Sequence, residues 1–144
     1  MTINHTGIRV PAAQHTAIVA WYEAALAPLG YTKAMTFMDD LVVGFADSSG
    51  AVDWWVTSSA AVPPGVPAPE PATVGADVAA ALPTHTAFAA KDRAGVEAFH
   101  QAAVAAGGKC NGKPGLRDYT PTYFAAFVLD PAGNNIEAIC LAAV

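Results

Sequence analysis

The chain has 144 residues, 53% of them hydrophobic, which is enough for one well-filled domain and too little for two ordinary ones. A net charge of −5, with only 7 Lys and Arg, provides no basic patch and excludes nucleic acid and an anionic membrane as expected partners. No apolar run reaches the roughly 18 residues of a membrane span, and Met1-Thr-Ile-Asn-His5 has neither a cationic start nor an apolar signal core, so a cytoplasmic location is expected. Cys110 and Cys140 are too few for a disulfide framework and read as two reduced thiols.

Asn4 to Val10 reads as a strand with His5, Gly7 and Arg9 on one face and Thr6, Ile8 and Val10 on the other. From His15 to Leu29 the residues Ile18, Val19, Tyr22, Leu26 and Leu29 recur at helical spacing, and Gly30 provides the stop. Tyr31 to Phe37, Leu41 to Ala46 and Val52 to Ser58 read as three strands. Residues 60 to 82, with Val62-Pro-Pro-Gly-Val-Pro-Ala-Pro-Glu-Pro71, read as a linker or flap, because proline removes donors and fixes φ. Thr84 to Ala90 is the next strand, and Asp92 is placed to cap a helix running to Ala106, before Gly107-Gly108. Lys109 to Lys113 and Tyr123 to Leu129 follow as strands, split by a loop from Pro114 to Pro121. Asp130-Pro-Ala-Gly133 then has the chemistry of a tight turn into a last strand, Ile136 to Leu141. Glu137 in that strand is the anomaly, because a carboxylate there needs a partner, a metal or water.

The two halves repeat. Thr84-His85-Thr86 follows Asn4-His5-Thr6 at an offset of 80, Phe99 and Gly107 follow Tyr22 and Gly30 at 77, and Asp130-Pro-Ala-Gly133 follows Asp47-Ser-Ser-Gly50 at 83. One supersecondary unit used twice packs about a pseudo-twofold axis, so equivalent residues converge. The predicted fold class is α+β, two βαβββ modules in tandem, with module one over about 1–59, the Pro-rich linker over about 60–82 and module two over about 83–144.

His5-Thr-Gly-Ile, Trp21-Tyr22 to Gly30, His85-Thr-Ala-Phe and Asp130-Pro-Ala-Gly-Asn-Asn-Ile-Glu137 make the chain resemble the vicinal oxygen chelate superfamily. That superfamily includes glyoxalase I, extradiol dioxygenases, and fosfomycin- and bleomycin-resistance proteins. The resemblance implies a curved mixed-sheet cup, a small-molecule substrate and a homodimer, sometimes formed by exchanging modules. It also implies a divalent metal (Fe, Ni, Zn, Mn or Co) held by His5, His85 and Glu137. The fourth family position departs from the pattern: counting four residues past the turn glycine, as Glu137 follows Gly133, gives Trp54 after Gly50, and tryptophan ligates no metal. Glyoxalase I generally offers four protein ligands, so three brings the set nearer to the extradiol dioxygenases.

Around these three residues, Arg9 reads as an anion clamp or a rim salt bridge, and Trp54 as a stacking wall of the cup or as core. Tyr119 and Tyr123 read as proton donors or ligand-orienting phenols, and Arg117 as a second anion clamp or a solvated loop residue. Trp21 and Trp55 are assigned to packing, and His15 and His100 to solvated or capping positions beside the helices. The expected activity is that of a metal-dependent lyase, isomerase or dioxygenase. The alternative is a module of the bleomycin-resistance type that sequesters an apolar compound without chemistry.

Overall fold

The computed structural model describes residues 3–61 and 83–141. In module one, β1 (Thr6–Val10) is followed by α1 (His15–Leu26), β2 (Thr32–Phe37), β3 (Val42–Ala46) and β4 (Val52–Ser58). Module two repeats the order with β5 (His85–Ala89), α2 (Arg93–Ala105), β6 (Lys109–Leu116), β7 (Phe124–Leu129) and β8 (Asn135–Cys140). Each module forms a four-stranded mixed sheet, ordered β1-β4-β3-β2 and β5-β8-β7-β6, with the first and last strands parallel. The fold is therefore α+β in two tandem βαβββ modules. The linker expected over 60–82 lies, beyond Ala61, outside the described residues.

Local chemistry accounts for the helices. α1 buries Ile18, Val19, Tyr22, Ala25 and Leu26 along one stripe, and a 3-10 turn carries it on to Gly30, whose φ of 85° suits a residue without a side chain. Asp92 caps α2 by accepting the Gly95 N–H at 2.8 Å. α1 packs on β2 and β4 and α2 on β6, β7 and β8, and Ile8, Val10, Trp54, Val56, Phe88, Phe99, Val128 and Ile136 join one core across both modules. Burying each such side chain contributes roughly 1.5–3 kcal/mol before conformational entropy is subtracted.

Two polar bonds tie the modules within this core. Trp21 donates its indole N–H to Ala103 O at 2.9 Å, and Tyr22 donates its hydroxyl to Asp130 Oδ2 at 2.7 Å. Asp130 also accepts from the Ala132 and Asn134 backbone N–H groups and from the Asn134 amide. The turn that reads as a hairpin signal is thus also the brace between the modules. Burial, then the Asp130 carboxylate, push the Tyr22 phenol well above its ordinary pKa.

Two local expectations are corrected. β6 runs through Pro114 to Leu116, because it is an edge strand whose register shifts on either side of Gly112, so the missing proline donor breaks no ladder. His15 is buried, with Nε2 3.3 Å from Val56 O, and serves the core rather than solvent. His100, expected at a solvated or capping position, is partly exposed, and its Nε2 lies 3.2 Å from Cys110 Sγ.

Candidate functional site

Strand alternation gives each sheet a core face and an open face. In module two the open face carries Ala87, Glu137 and Phe127 side by side, because Ala87 pairs with Glu137 and Glu137 with Phe127. Glu137 is only 2% exposed. Both its oxygens are satisfied: Tyr123 donates its hydroxyl to Oε1 at 2.8 Å, and His85 Nε2 lies 3.0 Å from Oε2. A buried carboxylate needs such partners, and this answers the anomaly of a Glu in an apolar strand.

His85 is half exposed above this pair, and Asn135 fixes its other nitrogen. Nδ1 lies 3.0 Å from Asn135 O and 3.0 Å from Asn135 Nδ2, so the ring has an acceptor or a donor for either tautomer. Asn111 on β6 in turn donates to Asn135 Oδ1 at 3.0 Å. Burial, then the bond to Glu137, push the Tyr123 phenol up to about 12. Tyr119, 71% exposed, stands edge-on to Tyr123 with ring centres 5.0 Å apart.

Module one answers with aromatic rings. His5 precedes β1 and is exposed, its Nδ1 2.8 Å from Asn4 Oδ1 and its ring edge-on to Trp55 at 6.4 Å. Trp55 stacks on Phe37, with centres 5.9 Å apart and planes 19° apart. With Arg9, Val42 and Thr57 these residues line an open hollow of about 620 Å³. Gly7 and Gly44 pair with Trp55 on either side, and a Cβ on Gly44 would come within 2.8 Å of the ring. Gly44 therefore lets the indole lie over the sheet, and Gly7 lets β1 approach the Trp55 backbone.

Here the sequence count misplaces the fourth position. Gly7 pairs with Trp55 as Ala87 pairs with Glu137, so Trp55, not Trp54, is the register equivalent of Glu137. The cause is a bulge: β3 pairs Ala46 with Val52 but Phe45 with Trp54, which leaves Asp53 out of the ladder. Trp54 turns to the core, 1% exposed, against Tyr22 and Phe88. The aromatic wall of the open face is Trp55, which sequence reasoning assigned to packing; Gly7 and Gly44 were the signal for it.

Both candidate arginines, Arg9 and Arg117, are tied to backbone. Arg9 Nη2 donates to Ala61 O at 2.6 Å and Ser59 O at 3.2 Å, at the rim of the module-one hollow. Arg117 lies over the Phe127 ring at 5.2 Å, and its Nη2 donates to Lys113 O and Ala125 O. Tyr123, His85 and Glu137 are thus brought together, while His5, Arg9 and Trp55 form a separate cluster. Among the described residues no three His, Cys, Asp or Glu gather to hold a metal ion.

The sequence profile of the Glyoxalase/Bleomycin resistance protein/Dioxygenase superfamily matches residues 2–138. The chain belongs to this superfamily. A glyoxalase/bleomycin resistance protein from Albidiferax ferrireducens T118 is 26% identical, with 94% of this chain and 96% of that one covered and a TM-score of 0.61. A glyoxalase/bleomycin resistance protein/dioxygenase family enzyme from Burkholderia phytofirmans PsJN, 14% identical over 99% of this chain and 100% of that one with a TM-score of 0.66, shares the fold. A comparison with curated proteins finds no match. Among the described residues no helix is long and apolar enough to cross a membrane.

Proposed function

We propose that the protein is a metal-dependent enzyme acting on a small organic molecule with two neighbouring oxygens. His85 and Glu137 would hold a divalent Fe, Ni, Zn, Mn or Co ion together with His5 of the partner subunit in a homodimer. The observation that carries this reading is the 3.0 Å approach of His85 Nε2 to the buried Glu137 Oε2. Two ligands about 2.1 Å from one ion in near-octahedral geometry stand about 3 Å apart, so the pair fits two corners of a coordination shell. His5 belongs to the other module's open face, which is why a second copy is needed to complete the set.

Bound there, the ion would supply Lewis-acid polarisation of the substrate oxygens. The protein's own groups do the rest. In the tautomer with the proton on Nδ1, His85 donates to Asn135 O, which leaves Nε2 free to ligate. Tyr123 keeps its proton at working pH, its pKa being about 12, so it fixes Glu137 as a hydrogen-bond donor and is no base. The choice between lyase or isomerase and dioxygenase chemistry follows the metal.

A second reading has its own observation. The Trp55–Phe37 stack over about 620 Å³ suits a planar apolar compound held without chemistry, as in a bleomycin-resistance type of binder. Elemental analysis of protein purified without added metal or chelator, beside His85→Ala and Glu137→Ala, separates the two. The enzyme reading expects about one equivalent of a transition metal per chain, lost in both variants. No metal in the wild type, and none after reconstitution with iron, nickel, zinc and manganese, would overturn it.

A further inference from the structure

His100 is the histidine that neither the core nor the proposed metal centre uses, and it faces a thiol. Its Nε2 lies 3.2 Å from Cys110 Sγ, within the reach a base needs to take a proton from a nucleophile. The fold brings the two together: His100 stands on α2, Cys110 on the edge strand β6, and α2 packs on that strand. Gly108 closes the approach. Its N–H donates to Ala103 O at 2.9 Å, and a Cβ there would come within 2.8 Å of that oxygen and of Trp21 Nε1.

The surroundings suit a reactive thiol. Cys110 is exposed, so a reagent in solution can meet its sulfur. Burial, then the Lys113 ammonium, hold the His100 imidazole below its ordinary pKa, so it is uncharged near pH 7 and has a lone pair for a proton. Lys109 and Lys113 flank Cys110, residues 107–113 contain no Asp or Glu, and Glu97, exposed one turn before His100, is the one acid of α2. Cys110 pairs with the core residue Val128, whereas Glu137 pairs with Phe127 on the open face. The Cys110–His100 pair therefore lies on the opposite side of the sheet from the His85–Glu137 site.

We propose that Cys110 is a nucleophilic thiol, served by His100 as its base, that forms mixed disulfides with low-molecular-weight disulfides. His100 Nε2 takes the thiol proton as Cys110 Sγ attacks one sulfur of the small disulfide. A new S–S bond forms, the old one breaks, and the departing thiolate recovers the proton from His100. The protein thiol is oxidised and the small disulfide is reduced, releasing one thiol, so no further oxidant enters. Cys140, 2% exposed, does not compete. Neither Cys110 nor His100 takes part in the metal centre proposed above, so the two proposals stand or fall separately.

The test incubates the full chain with glutathione disulfide near pH 7 and follows the gain of one glutathione by mass spectrometry, with the modified cysteine located in tryptic peptides. The reference is the free pentapeptide Lys-Cys-Asn-Gly-Lys, which keeps the sequence neighbours of Cys110 and lacks His100. Cys110 in the folded chain should react about tenfold faster than the peptide, and His100→Gln should lower it to the peptide's rate. The unfolding midpoint of His100→Gln reports that its fold is intact, and Cys110→Ser should take up no glutathione. A folded chain whose Cys110 reacts no faster than the peptide would overturn the proposal. So would a His100→Gln chain as fast as wild type, or modification at Cys140 alone.

Discussion

β4 and β8 hold the same place in their modules, each antiparallel to one neighbour and parallel to the module's first strand, yet they present different chemistry. β8 pairs with β7 without interruption from Phe124↔Cys140 to Leu129↔Asn135, and the unbroken alternation sets Glu137 on the open face beneath His85. β4 carries a bulge, which puts Trp55 in the equivalent position, sends Trp54 into the core and frees Asp53 from the ladder. A single extra residue thus separates a carboxylate site from an aromatic one. Duplication fixed the frame, and the register within it decides which side chain faces the hollow.

The comparison predicts opposite behaviour for adjacent tryptophans. Trp54→Ala removes a fully buried indole and should cost about 3–5 kcal/mol in urea unfolding. Trp55→Ala should cost about 1 kcal/mol and instead weaken binding of planar apolar ligands to the module-one hollow. Equal destabilisation by the two would break the assignment of faces.

The turns should differ almost as much. Asp130 is 4% exposed and braces Tyr22 and Asn134, so Asp130→Ala, which orphans both, should lower stability by about 2–4 kcal/mol. Its counterpart Asp47 is exposed and accepts from the backbone N–H and side chain of nearby Ser49, so Asp47→Ala should stay within about 0.5 kcal/mol. Thermal or urea unfolding of both variants checks the contrast.

The smallest effect concerns Tyr123. Its folded-state pKa of about 12 lies above the ordinary 10, so the stability it contributes is fully present below pH 10 and is lost as pH rises through 12. The stability difference between wild type and Tyr123→Phe should therefore be constant from pH 7 to 9 and shrink between about pH 10 and 12. A difference that stays flat across that range would show that the bond to Glu137 does not hold the phenol's proton.

Much of this was legible in the residues. The repeat of His5 and His85, the stops at Gly30 and Gly107 and the Asp130-Pro-Ala-Gly133 turn specify two βαβββ modules, because periodicity and turn chemistry are local signals. The nearness of His85 and Glu137 was to be expected from the same repeat and from the family resemblance. The bulge was not: it breaks pairing without breaking the apolar run Val52 to Ser58, so a count from Gly50 lands on the wrong indole. The cross-module bond of Tyr22 and the burial of His15 depend on how sheets and helices meet, which no spacing encodes. Asn135, which holds His85, was hidden inside the turn motif as an ordinary turn residue.

The metal centre proposed above draws His5 from one copy and His85 with Glu137 from another. Co-expressing His5→Ala and Glu137→Ala chains under two different tags, purifying the mixed dimer and measuring its metal content tests this directly. The account predicts that each variant alone binds no metal and that the mixed dimer regains one intact centre, about half an equivalent per chain. A mixed dimer as empty as either variant, beside a metal-loaded wild type, would contradict it.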